Sequence, residues 1–352
     1  DPREIDDLML GCGQPGGEAG FNIARVVAVE LGYDFLPGVT VNRYCSSSLQ
    51  TTRMAFHAIR AGEGSAFISA GVETVSRFPK GTSDGWPDSH NPLFAEAEAR
   101  TAASAEGAES WHDPREDGQV PDVYIAMGQT AENVALYTGI SREDQDRWGV
   151  RSQNRAEEAI KSGFFEREIS PVTLPDGTVV STDDGPRAGT SYDKISQLNP
   201  VFRPNGTVTA GNACPLNDGA AAVIVMSDTK AKELGLTPLA RIVATGVSGL
   251  SPEIMGLGPI EAVRKALGYA KMSVSDIDLF EINEAFAVQV LGSARDLGID
   301  EDKLNVSGGA IALGHPFGMT GARITATLLN NLATHDKTFG VETMCVGGGQ
   351  GM

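Results

Sequence analysis

The stretch DIDLFEINEAFAVQVLGSARDLG, residues 276–298, repeats in outline a stretch near the start of the chain. There EIDDLML (4–10) leads into the helix-like FNIARVVAVELG (21–32), then the strand-like GVTVNRYC (38–45). A second helix, LQTTRMAFHAIRAG (49–62), is followed by AFISAGVET (66–74). In the later copy DIDLFEI precedes AVQVLGSARDLG, KLNVSGGAIALGH (303–315) stands in the place of the second strand, and GARITATLLNNL (321–332) leads into TFGVETMCVGGG (338–349). The spacings agree: Asp7 to Cys45 is 38 residues and Asp278 to His315 is 37, while Cys45 to Gly71 is 26 and His315 to Gly340 is 25. The tetrapeptide GVET closes both comparisons. Strands alternating with amphipathic helices predict α/β layers with largely parallel strands. Two such units predict two similar halves packed together, with a thiol in one where the other has an imidazole.

The 352 residues suffice for a sizeable core, and 42 glycines imply many tight turns or close backbone approaches. A net charge of −18 repels phosphate backbones and anionic lipid heads, which argues against nucleic acid and membrane surfaces as partners. Four cysteines, Cys12, Cys45, Cys214 and Cys345, make neither a disulfide framework nor a CxxC zinc site, so reduced thiols in the cytoplasm are expected. No apolar run reaches the length of a membrane span, and no metal or permanently bound cofactor is called for. DPREIDDLMLGCG enters a strand-like run almost at once and GGGQGM stops just after a glycine cluster, so both ends read as trimmed.

Between the copies lies a long insertion. KGTSDGWPDSHNPLF (80–94) is rich in turn formers, and AEAEARTAASAEGAES (95–110) reads as a solvated helix or a loose loop. SREDQDRWGVRSQNRAEEAIKSGFF (141–165) predicts a helix capped by Ser141 with Asp144 three residues on. The whole reads as a lid, a common place for ligand contacts.

Cys45 precedes a helix whose Leu49, Phe56 and Ile59 would face the core, so the positive end of that helix favours its thiolate. Taken locally, a small buried hydrophobe among capping serines fits equally well. His315 weighs against that reading. It sits among glycines and a proline before a helix, where backbone can approach a substrate, whereas the glycine spacing fits no phosphate loop. His57, His90, His112 and His335 lack such a setting and are expected to be structural. Cys345 opens CVGGGQG at a strand end, where a thiol could move protons while bare amides hold an oxyanion, or where a strand simply ends in a glycine turn. Asn283 occupies the place that Cys12 takes in the first copy.

VNRYCSSSLQ, NEAFA, GGAIALGHPFGMTGAR and CVGGGQG, in that order, resemble the four signature blocks of the thiolase family, and MGQTAENVA and TVTAGNACPLNDGAAAV resemble its lid and pre-linker blocks. The resemblance covers about Asp7 to Met352. It implies an α/β thiolase-like fold of two similar βαβαβαββ halves in five α/β layers. The N-terminal half would take 1–76 and 206–230, the lid 77–205 and the C-terminal half 231–352, with no counterpart here for the family's opening strand and helix or its closing strand. It implies acyl transfer between acyl-CoA and acetyl-CoA, by Claisen condensation or thiolytic cleavage of 3-oxoacyl-CoA. A Cys–His hydrolase would instead need a water route to the acyl-enzyme, which the dry, lidded site of the family argues against. Two further rivals make predictions of their own. A condensing enzyme working on acyl carrier protein should lack the second cysteine, and a non-catalytic acyl-CoA-binding subunit should lack one of Cys45, His315 or Cys345; all are present.

Carried onto this sequence, the resemblance makes Cys45 the acyl-carrying nucleophile, His315 its base, and Cys345 the second acid/base. Asn283 would hold a water in one oxyanion hole, and the N–H groups of Cys45 and Gly347 would form the other. Met127, Phe202, Ala210 and Phe286 match positions lining the acyl and pantetheine pocket, and Arg187 a basic residue near the adenine. Coenzyme A would be substrate and product, and a homodimer or homotetramer is implied. The chain departs from the family at Tyr44, at Ser48, where glycine is usual, and at Cys214–Pro215, where a serine and a glycine usually touch the pantetheine arm.

Overall fold

The structure, a computed structural model, describes residues 1–80, 86–107 and 110–352. Parts of the turn-rich run 80–94 and of the low-complexity run 95–110 therefore lie outside the described residues, at 81–85 and 108–109. The helix alternative holds for the second run over Ala95–Ser104.

Eleven strands are described: β1 Asp7–Gly11, β2 Gly38–Val41, β3 Ala66–Thr74, β4 Val172–Thr173, β5 Val179–Val180, β6 Asp218–Met226, β7 Ser248–Gly249, β8 Leu279–Ile282, β9 Gly340–Thr343, β10 Cys345–Val346 and β11 Gln350–Gly351. In the first half β1 lies between β2 and β3, parallel to both, and β6 closes the sheet antiparallel to β3 along its whole length. The alternation of β1 sorts its side chains onto two faces. Leu8 and Leu10 pack with Ala24 and Ala28 of helix Ile23–Glu30, and Met9 packs with Ala55 and Phe67 on the other side. Burying each of these three contributes roughly 1.5–3 kcal/mol. The small alanines on the helix faces let those helices sit close to the sheet. Helix Ser47–Ala61 then stops at Gly62, whose φ of 80° supplies the left-handed cap.

The second half repeats the parallel pair as β8 and β9. Helix Ala287–Leu297 is buried over its first eight residues and helix Thr320–Thr334 over one face, so this half carries the larger core around Phe280, Ile282, Val288 and Leu291. β10 and β11 form a hairpin that extends through β7. The expected strand in KLNV is reduced to a single bridge, Phe280 to Leu304. Asn305 explains the difference. Its backbone turns left-handed (φ 48°), and its side-chain amide takes over the ladder, accepting from Ile282 N (2.9 Å) and donating to Ile282 O (2.9 Å). The same amide donates to Glu284 Oε1 at 3.0 Å.

The stretch between the two repeats is fastened at the same place. Helix Arg142–Lys161 is capped by Ser141, which accepts from Asp144 N at 3.1 Å. Its Trp148 Nε1 (3.0 Å) and Ser152 Oγ (2.5 Å) both donate to the buried Glu284, which also accepts from Ile311 N at 3.1 Å. The segment leading to Cys214 is tied to that stretch as well. Asn212 donates to Asp146 at 2.9 Å, and Glu132 accepts from the amides of Thr207 and Val208.

Replacing Asn305 by alanine leaves the buried Ile282 N–H and C=O without this partner and removes one of the donors to Glu284. We expect Asn305→Ala to lose about 3 kcal/mol of stability, seen in urea unfolding as a lower midpoint with an unchanged slope.

Candidate active site

The turn that carries Cys45 is built by local side-chain bonds. Tyr44 adopts a left-handed φ of 40°, held by Asn42 Oδ1 accepting from its amide (2.8 Å) and by Ser47 Oγ donating to its carbonyl (2.6 Å). Ser47 Oγ also accepts from Arg43 N at 2.9 Å. The serines thus fold the turn Tyr44–Ser46 back on itself, and Cys45 leaves it buried just ahead of helix Ser47–Ala61. Left-handed backbone at a tyrosine is strain that these three bonds sustain, as at many functional turns.

Cys45 packs with Leu49 of its own helix, Ile324, and Met344 and Val346 beside β10, with Phe317 against them. Three segments far apart in sequence therefore meet at one sulfur. The Gly347 N–H faces that sulfur. A methyl group on Gly347 would make ordinary contacts with Tyr44 Cγ (3.5 Å) and Met127 Sδ (3.8 Å), so the side chains of Tyr44 and Met127 border this stretch of backbone. Cys345 and Cys214 lie near enough that the charge of one raises the pKa of another.

His315 is 2% exposed. Its Nδ1 lies 2.7 Å from Thr320 Oγ1, whose own hydrogen goes to Pro316 O at 2.9 Å. In the tautomer where Thr320 donates to Pro316 O, it accepts from His315, so the proton sits on Nδ1 and the Nε2 lone pair is left to act as a base. Asn283 Nδ2 stands 3.3 Å from both ring nitrogens. Asn283 Oδ1 is buried with no hydrogen-bond partner among the described residues, an acceptor held ready beside the imidazole.

Burial works against the thiolate that the helix position favours. Burial pushes the Cys45 thiol up to about 11, against the pull of the Gly347 and Cys45 amides. Burial, with the Arg323 charge adding to it, lowers His315 to about 3. Both groups are neutral at pH 7. Helix position alone misleads here because desolvation in a dry site outweighs a partial dipole charge. Burial also raises Cys345 well above its ordinary value and Cys214 to about 12.

The other anticipated residues divide into two groups. Phe202 and Phe286 meet edge to face at 6.2 Å, and with Met127 they adjoin the core that contains Cys345. Cys214 donates its amide to Ala285 O (3.0 Å), beside the Ala213–Phe286 bridge. Ala210 and Arg187, by contrast, are exposed, and Arg187 is held by its amide donating to Gln153 Oε1 at 2.8 Å. Ser48 proves to have a partner suited to its hydroxyl, since Oγ accepts from Ala322 N at 3.0 Å. Sequence reasoning missed Thr320, Glu284 and Glu73. The repeated GVET and the NEAFA block contained the last two; nothing in the local pattern marked Thr320.

The N-terminal domain of thiolases matches residues 1–229 and their C-terminal domain residues 236–352. The chain is 42% identical over 360 residues to the 3-ketoacyl-CoA thiolase of Bacillus subtilis, covering 99% of this chain and 86% of that protein. It is 42% identical over 361 residues to the acetyl-CoA acetyltransferase of Cupriavidus necator, covering 100% and 87%. Among solved structures, the dimeric peroxisomal thiolase of Saccharomyces cerevisiae superposes with a TM-score of 0.87 at 37% identity, covering 100% of this chain and 84% of that one. Human mitochondrial 3-ketoacyl-CoA thiolase in complex with CoA superposes with a TM-score of 0.83 at 36% identity, covering 100% and 86%.

A raised thiol pKa makes the thiolate fraction grow as pH rises. Iodoacetamide alkylation of Cys45, followed by peptide mapping without substrate, should accelerate about tenfold per pH unit between pH 7 and 10. A plateau below pH 8 would instead reveal a preformed thiolate–imidazolium pair.

Proposed function

This chain belongs to the thiolase family, and we propose that it works through Cys45 as the group that carries the acyl chain. It is an acyltransferase, moving an acyl group between acyl-CoA and acetyl-CoA. The observation that carries the assignment of roles is the gathering of groups around Cys45: the Gly347 N–H faces its sulfur, two further thiols lie within reach of its charge, and His315 stands edge to face with Phe317, which packs against the cluster that holds Cys45.

In the cleavage direction Cys45 attacks the 3-oxo carbon while His315 Nε2 takes the thiol proton. The bond between C2 and C3 breaks, its electron pair becomes the enolate of acetyl-CoA, and Cys345 protonates that carbon. Acetyl-CoA departs and the acyl group stays on Cys45. The thiol of incoming CoA returns a proton to Cys345 and attacks the thioester, and Cys45 recovers its proton from His315. Condensation runs the same steps backwards. Sulfur suits the exchange because acyl transfer between thiols preserves thioester energy.

Each developing oxyanion would meet donors, the Gly347 and Cys45 amides on one side and, on the other, a water held by Asn283 together with His315 Nε2 once it has taken the thiol proton. Fixed donors in a dry site are worth far more than the same groups in water, and losing one costs about 10²–10³ in rate. Met127, Phe202, Phe286 and Cys214 would flank the acyl and pantetheine portions, and Arg187 on the lid, which spans 77–205 between the two halves, would meet the anionic end of CoA. The free cysteines suit a reducing cytoplasm, and among the described residues no helix is long and apolar enough to cross a membrane. The dimeric yeast relative supports self-association of this chain.

Brief exposure to acetyl-CoA should place one acetyl group on Cys45, detected by intact mass and peptide mapping, and free CoA should remove it. Cys45→Ala should take none. An adduct that water clears and CoA does not would overturn the assignment.

A further inference from the structure

The motif GVET occurs twice, and the proposed chemistry uses neither glutamate. Glu73, in the first copy, is 2% exposed and lies on β3 of the half that carries Cys45. Its Oε2 accepts from Gly13 N (2.7 Å) and Gly318 N (2.7 Å), and its Oε1 from Gln14 N (3.0 Å) and Cys12 Sγ (3.7 Å). Gly318 lies three residues beyond His315 and belongs to the other half. Its carbonyl in turn accepts from Ser48 N (3.1 Å), three residues beyond Cys45. One peptide segment is thus gripped on its N–H by Glu73 and on its C=O by the helix of the nucleophile.

The internal repeat sharpens the point. Glu342 is the counterpart of Glu73 and Ser48 the counterpart of Gly318, yet Glu342 accepts from Thr325 Oγ1 (2.8 Å) within its own half. The bridge between halves exists in one copy only, the copy that reaches the histidine loop.

We propose that Glu73 is a positioning residue for the transfer reaction, setting the register of His315 against Cys45 by holding the Gly318 amide. It touches no reacting atom; it acts through the loop. The inference rests on Cys45 and His315 having the roles proposed above. All four partners of Glu73 donate, so two acceptor oxygens are required, and a glutamine must turn its NH₂ toward one pair of donors. The lost bond leaves buried groups unpaired and lets the loop shift, and misplacement on the order of 1 Å is enough to cost about 10²-fold in rate.

The test compares native protein with Glu73→Gln at a temperature where circular dichroism shows both folded. Thiolysis kinetics with acetoacetyl-CoA should show kcat falling roughly 10- to 100-fold with KM changed by less than about threefold, and acetylation of Cys45 by acetyl-CoA should slow in parallel. A kcat within about twofold of native would overturn the inference, even if the melting temperature fell. In the native protein, hydrogen exchange should show the Gly318 amide strongly protected; exchange at the rate of an open loop would overturn it independently, whether or not the variant folds. If native Cys45 takes no acetyl group, the assignment of roles fails, while Gly318 exchange still decides whether Glu73 holds the loop.

Discussion

The thiol and the imidazole of this site come from opposite halves of the chain, so the distance at which two backbones pass each other governs the rest. Loop Pro316–Gly318 lies directly against the ends of β1 and β3. A side chain on Gly71 would come within 2.1 Å of Gly318 O, and one on Gly318 within 2.5 Å of Val72 O and 2.7 Å of Cys12 Cα. Only glycine on glycine permits that approach. Once the backbones are so close, water cannot reach their polar groups, and each must find a protein partner. Gly318 O meets Ser48 N, Gly318 N meets Glu73, and Ser48 Oγ meets Ala322 N. Packing and hydrogen bonding are here one constraint: loosening either would unseat the other.

The same closeness fixes the electrostatics. A dry junction raises the thiols and lowers the imidazole, so the resting pair is uncharged and stable without substrate. The cost is a weaker resting nucleophile. What offsets it is that charge appears only when substrate arrives, in a place where amide donors are fixed and unscreened. In the proposed mechanism dryness would also protect the acyl-enzyme, because a thioester on Cys45 would have to survive until a thiol, and not water, reaches it.

Much of this was legible from residues alone. The repeat located two α/β halves because strand and helix periods survive in both copies. The glycine-flanked His315 stands out because that setting suits backbone approaching a substrate better than a core residue, while Cys345 stands out only beside it, since a strand end in the core suits a buried thiol as well. What stayed hidden depends on side chains that act as backbone. Asn305 replaces a strand's hydrogen bonds with one amide, which no propensity scale registers. Thr320 selects the histidine tautomer only because its single hydrogen is committed to Pro316 O, a fact of geometry. The surroundings of Cys45 stay hidden for a related reason: its helix terminus is visible in sequence, whereas the depth of burial is set by Phe317, Met344 and Val346 from the far end of the chain.

Duplication leaves a choice that sequence symmetry does not settle, namely which half serves as the template. The two GVET glutamates answer it. Glu342 spends its hydrogen bonds on Thr325 in its own half, whereas Glu73 gathers the β1 end, the following turn and the foreign Gly318 amide. Ser48 N, which symmetry would direct to Glu342, turns to Gly318 O instead. Every polar bond around Gly318 therefore runs from the histidine loop into the cysteine half. The first half forms its turn from its own serines and asparagine, and the second half delivers the imidazole to that prepared surface. An exact two-fold arrangement would have given both loops equal freedom. The divergence of one glutamate from its copy removes that freedom from the loop whose position the chemistry most requires.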